Sequence, residues 1–209
     1  MLGIEVGFNW SLIFIFAYVA WTLATAYLPD AAPGHGVVVY WVAAAIGAAL
    51  FYGSLLAHEL SHAVVARSHG VKVAGITLWL FGGVSRLEGE PTSARSEALI
   101  AGVGPLTSFA VAVVALAFFF LTSWSDLVST LFAYLAVSNL LLGVFNLLPI
   151  PPLDGSALLE RMLPARWLPG WYKFRPYGIL LIFVLVFMTG AIGRLLDPLR
   201  DRLFEWVFR

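Results

Sequence analysis

Five long apolar runs dominate this chain, at about 8–28, 37–66, 98–121, 128–148 and 176–193. A bilayer core needs about 20 apolar residues in helical form to be crossed. Helices that are apolar all round cannot be wrapped by the rest of this chain, because only 11% of its residues are charged and 61% are hydrophobic; soluble domains carry roughly 25% charged residues. The runs therefore predict an all-α polytopic membrane protein with about five transmembrane helices. Twelve basic and twelve acidic side chains cancel, so no net field attracts nucleic acid. The chain has no cysteine, which excludes disulfides, thiolate metal sites and cysteine nucleophiles.

Between the second and third runs the texture changes. From Val73 to Val84 the residues read as β-strand with glycine interruptions, so a small membrane-associated β-hairpin or sheet is expected there. Counting Lys and Arg gives orientation. The loops 29–36 and 122–127 hold none, whereas 67–97 and 149–175 hold four each. The two basic loops and the amino terminus are expected in the cytoplasm. The fifth run leaves two arrangements open: a full crossing with the tail outside, or a re-entrant segment with 195–209 lying as an amphipathic helix on the inner surface. Ala24-Thr-Ala26 has the form of a signal-peptide cleavage site, but no basic residue precedes the run, and it is full length. It reads as a retained span. Trp10, Tyr27 and Trp124, near span ends, suit the interfacial belt.

The chemistry begins where the second run ends. It is apolar up to Ala57 and then reads His58-Glu59-Leu60-Ser61-His62. Positions i and i+4 share a helix face, so both imidazoles can reach one ion, and zinc takes such nitrogen ligands. Glu59 stands beside the pair, where a carboxylate can take a proton from water and pass it to a leaving amine. Ionisable residues at the end of an apolar span are costly and mark function.

Two histidines leave a catalytic zinc site short of one protein ligand. His35 falls in the outer loop, and His69 lies two turns beyond His62, better suited to a surface or supporting role. Asp154, just past the inner end of the fourth run, faces the same side as the pair by the loop count. An Asp before Gly is also a common turn residue; in the company of the histidine motif it becomes the candidate third ligand.

His58-Glu59-x-x-His62 on one span, with Asn146-Leu-Leu-Pro-Ile-Pro-Pro-Leu-Asp154-Gly155 after another, resembles the site-2 protease family of intramembrane zinc metalloproteases. Phe81-Gly82-Gly83-Val84 and Gly104-Pro105 fit the same pattern. The resemblance covers roughly 8–160 and treats 1–209 as one membrane metalloprotease domain, with 161–209 as a final hydrophobic segment and amphipathic tail. It implies one zinc per chain held by His58, His62 and Asp154, Glu59 as the catalytic base, and Asn146 steadying the substrate carbonyl or oxyanion. It implies transmembrane protein or peptide substrates, cut near the cytoplasmic side of a prokaryotic cell membrane. Many members carry Asn three positions after the Gly-Pro pair, where this chain has Ser108. A hydroxyl can still support packing there. No PDZ insertion or CBS pair fits the short loops and tail, so a bare catalytic core is expected.

A helical substrate hides its amides in its own hydrogen bonds, so a protease must hold it extended, and a sheet edge does this by strand addition. Ile76–Leu87 suits that role, with Phe81, Gly82, Gly83 and Val84 as candidate substrate-binding residues, since the glycines permit close backbone approach. Two other functions use the same residues: a metal-ion transporter and a catalytically inactive membrane scaffold. No internal repeat is visible to favour a transporter. The intact Glu59 argues against both.

Overall fold

The structure, a computed structural model, describes residues 4–79, 82–89 and 93–184. Four helices among these are long and apolar enough to cross a membrane: α1 (Ser11–Ala31), α2 (Val37–Ser68), α3 (Ala94–Leu121) and α4 (Asp126–Asn146). They match the first four expected spans. Shorter helices follow: α5 (Asp154–Met162), α6 (Leu168–Phe174) and α7 (Gly178–Phe183). The fifth expected run begins in the turn Arg175–Tyr177 and α7, and the part beyond Val184, with the tail, lies outside the described residues.

Helix ends follow local chemistry. α3 starts four residues before its apolar run because Ser93 and Ser96 form a reciprocal capping box. α2 stops at Gly70, whose φ of +81° suits glycine. α4 ends at Asn146, three residues ahead of Pro149, whose predecessor is pushed out of the helical region. Within α1, the segment Leu23–Tyr27 widens to π-helix just ahead of Pro29.

The helices pack through small residues and turn large apolar side chains outward, as lipid-facing helices do. A Cβ on Gly47 of α2 would meet Leu131 at 3.0 Å and Leu23 at 3.3 Å. One buried cluster joins Leu23, Leu28, Tyr40, Ala43, Ala44 and Leu131 across α1, α2 and α4. Phe14, Val38, Leu106, Val113 and Leu121 remain exposed, which is their proper state against acyl chains. Trp10 and Trp124 are exposed near span ends as expected, but Tyr27 turns inward, half-buried against Tyr134 with ring centroids 5.8 Å apart.

The expected hairpin is present as β2 (Lys72–Trp79) and β3 (Gly82–Glu88), antiparallel from Lys72↔Glu88 to Trp79↔Gly82 with an irregularity at Val73/Gly75. A third strand goes beyond the sequence expectation. β1 (Glu5–Phe8) precedes the first span and pairs in parallel with β2, Glu5↔Gly75 to Phe8↔Leu78, giving the order β1-β2-β3. Ile4, Ile76 and Leu78 bury against Leu55 and Ala63 of α2, so the sheet packs on the end of α2 that carries the histidine motif. This pairing also requires the amino terminus and the loop after α2 to share one membrane face.

Candidate metal centre

From Val37 to His58 the rise is about 32 Å at 1.5 Å per residue, so the motif falls near the far edge of a hydrocarbon layer about 30 Å thick. His58 and His62 are buried, and Glu59 is half-buried. On the facing helix, α3 offers Ile100, Gly104 and Ser108, spaced i, i+4, i+8 on one side. A Cβ on Gly104 would lie 2.6 Å from His58 Nε2 and closer still to His62 Nε2, so only glycine leaves room for both rings. The other ring nitrogens are held by the same helix face. His62 Nδ1 faces the Ile100 carbonyl, and His58 Nδ1 lies 2.9 Å from Ser108 Oγ.

Asp154 arrives from another direction. Pro149, Pro151 and Pro152 stiffen the link after α4, and α5 begins at Asp154 itself, following Leu153 in extended conformation. A Cβ on Gly155 would stand 2.7 Å from the Leu148 carbonyl oxygen and closer to that of Leu147, so the chain folds back tightly there. This brings Asp154 Oδ2 to 3.2 Å from His58 Nε2 and 3.3 Å from His62 Nε2.

His58, His62 and Asp154 thus converge, their ligand atoms all within 4.8 Å of one another. The two Nε2 atoms are 3.2 Å apart. Donors held about 2.0–2.1 Å from a tetrahedral zinc stand about 3.3 Å from each other, so the three separations match an edge of that tetrahedron. The donor chemistry fits as well. A carbonyl can only accept, so His62 Nδ1 carries the proton and the neutral ring turns a lone pair inward. With His58 likewise protonated at Nδ1, three lone pairs meet, an arrangement a cation stabilises. Asp154 completes the set with a carboxylate, which binds a metal in its ionised form.

Glu59 lies alongside, under the sheet. Ser85 Oγ of β3 donates to its Oε2 at 3.4 Å. A Cβ on Gly83 would sit 2.8 Å from Glu59 Oε1 and nearer its Cγ and Cδ, so β3 passes directly over this carboxylate.

The remaining expected residues divide. Gly82 and Val84 lie in β3 with Gly83; Phe81 is outside the described residues. Asn146 ends α4, and its Nδ2 donates to the Leu142 carbonyl at 3.0 Å. His69 bonds locally to Val65 and Ser68, and His35 lies beside Ala32 and Tyr40; neither joins the metal group. Ser108, Ser85 and the Ile100 carbonyl are additions to the expected site. A signal for the first is present in the sequence: Ser108 shares a helical face with Gly104 in a mostly apolar run.

The model of peptidase family M50 matches residues 46–127 and 121–189, which include His58, His62 and Asp154. The chain belongs to peptidase family M50. Its M50 relatives include the protein Rip3 of Mycobacterium tuberculosis, named as a putative zinc metalloprotease, at 46% identity over 167 residues, 78% of this chain and 42% of that protein. The zinc metalloprotease MJ0392 of Methanocaldococcus jannaschii is 33% identical over 132 residues, 62% of this chain and 37% of that protein. The chain thus spans less than half the length of these curated relatives. The solved site-2 protease from Methanocaldococcus jannaschii superposes with a TM-score of 0.61 at 25% identity, covering 99% of this chain and 90% of that one. The resemblance read from the paired motifs is borne out, and with its four apolar helices this M50 member is an integral membrane protein.

Proposed function

We propose that this chain is a zinc-dependent intramembrane endopeptidase that cuts transmembrane protein or peptide substrates near the cytoplasmic side of a prokaryotic cell membrane. The observation that carries the reading is the convergence of His58, His62 and Asp154 at tetrahedral spacing with Glu59 beside them. His58, His62 and Asp154 would hold the zinc. When bound, zinc supplies Lewis acidity, polarising a peptide carbonyl and bringing the ionisation of water towards neutral pH. Glu59 accepts the proton of the attacking water as its oxygen adds to the peptide carbon, then returns that proton to the amide nitrogen as the C–N bond breaks. Asn146 donates an amide N–H to the carbonyl oxygen as charge gathers there.

Substrate orientation falls to β3. Among the described residues it is an edge strand, and an extended segment added along Gly82-Gly83-Val84 would run past Glu59; the contact of Gly83 with Glu59 supports this. The cytoplasmic assignment draws on the basic loops 67–97 and 149–175, and the pairing of β1 with β2 is in keeping with it.

Zinc per purified chain tests the reading without a known substrate. Wild type should hold about one zinc, as a site with three protein ligands does. Asp154→Ala and His62→Ala should each lose it, or bind it far more weakly. Wild type prepared without chelators and still free of specifically bound zinc would overturn the protease reading and move the scaffold to the front.

A further inference from the structure

Each imidazole at the centre has its outward nitrogen held by α3, but by different means. The His62 partner is the Ile100 main-chain carbonyl, which survives any change of side chain at that position. The His58 partner is the Ser108 hydroxyl, 2.9 Å from Nδ1, and Ser108 is 0% exposed. We propose that Ser108 is the positioning residue that orients the His58 ring for the metal, its hydroxyl oxygen accepting from Nδ1–H so that Nε2 is aimed at the metal position. This rests on the zinc reading above.

A neutral imidazole can carry its proton on either nitrogen, and it offers the Nε2 lone pair to a metal only with the proton on Nδ1. A hydroxyl oxygen at Nδ1 accepts that proton once Nε2 faces the metal, as outer-shell acceptors do for metal-bound histidines. His58 is 2% exposed, so water is poorly placed to replace a deleted hydroxyl, and near membrane depth an unpaired N–H is costly. The spacing on α3 supports a dedicated arrangement. Gly104 makes the room for both rings, and one turn to either side Ile100 and Ser108 hold them. The neighbouring Thr107 differs: its hydroxyl donates to the Val103 carbonyl at 2.9 Å, within its own helix.

Two measurements on the full chain in lipid nanodiscs test the proposal. Zinc affinity by chelator competition should fall about 10–100-fold in Ser108→Ala, the range for loss of an outer-shell partner. Ser108→Cys, similar in shape but a weak acceptor, should fall between, and Thr107→Ala should bind as wild type does. In the zinc-loaded protein, NMR of nitrogen-labelled histidines should show the His58 Nδ1–H as a hydrogen-bonded, slowly exchanging proton in wild type, shifted and exchanging faster in Ser108→Ala. A purely packing serine would leave that resonance where it was. Wild-type affinity in Ser108→Ala, or an unchanged His58 Nδ1–H resonance, would overturn the proposal. Where Ser108→Ala fails to fold, Ser108→Cys carries the same comparison. Wild type that binds no zinc would instead defeat the protease reading and this proposal with it, a result distinct from equal zinc affinity in the two proteins.

Discussion

Glu59→Gln is expected to keep zinc at wild-type affinity while peptide hydrolysis falls about 10²–10⁴-fold, the usual contribution of a general acid–base group. The amide is nearly isosteric with the carboxylate. It still fits beneath Gly83 and still accepts from Ser85, so the sheet and the His58–His62–Asp154 group stay in place. What it lacks is a basic oxygen for the proton of water. Mass spectrometry of transmembrane peptides incubated with wild type and variant provides the rate comparison, with metal analysis on the same samples. The variant also separates the competing functions. An ion carrier would keep moving ions after the exchange, and an inactive scaffold would show no cleavage in wild type to lose. Hydrolysis within two- or threefold of wild type would remove Glu59 from the chemistry.

Gly104→Ala should abolish stoichiometric zinc binding, whereas Gly102→Ala should leave it intact. The two glycines lie half a turn apart on α3, and alanine is the better helix former at both. At Gly102 the added methyl meets nothing within 4 Å, so propensity favours the substitution. At Gly104 the methyl would stand 2.6 Å from His58 Nε2 and nearer to His62 Nε2. The rings must then move off their shared point, or α3 must withdraw from α2, and overpacking of this kind costs about 1–3 kcal/mol besides the metal. Zinc content and thermal unfolding of both variants check this; equal zinc in the two would show that the close approach is not needed.

Much of the site is legible in residue order because its chemistry is locally encoded. His58 and His62 are one helical turn apart, and a charge count that makes no use of the metal motif puts Asp154 on their side of the membrane. The spans are legible because lipid demands long apolar runs with little ambiguity. What escapes is non-local. The strand Glu5–Phe8 is four residues long, too short to show an alternating pattern, and its partner is the strand beginning at Lys72. Ser108 and Thr107 are adjacent hydroxyls in a mostly apolar helix, and only packing shows that Ser108 is the one that meets His58. The start of α3 at Ala94 is hidden from hydropathy by Arg95 and Glu97, while the Ser93–Ser96 cap announces it only to a reading of capping chemistry. Asn146 falls at a helix end, but the hydrogen bond of its amide to Leu142 belongs to side-chain conformation, which spacing does not encode.

The parallel pairing of β1 with β2 ties the order of the sheet to correct insertion. The two strands are separated in the chain by two membrane crossings, and they can meet only if both crossings are made in the proper sense. A molecule whose first helix entered the bilayer inverted would strand Glu5–Phe8 on the opposite side from Lys72–Trp79. β2 would lose its neighbour, and β3, which lies over Glu59, would lose the support of a three-stranded sheet. Misoriented copies would thus lack an ordered strand over Glu59, so the fold itself discriminates between a properly threaded molecule and an inverted one.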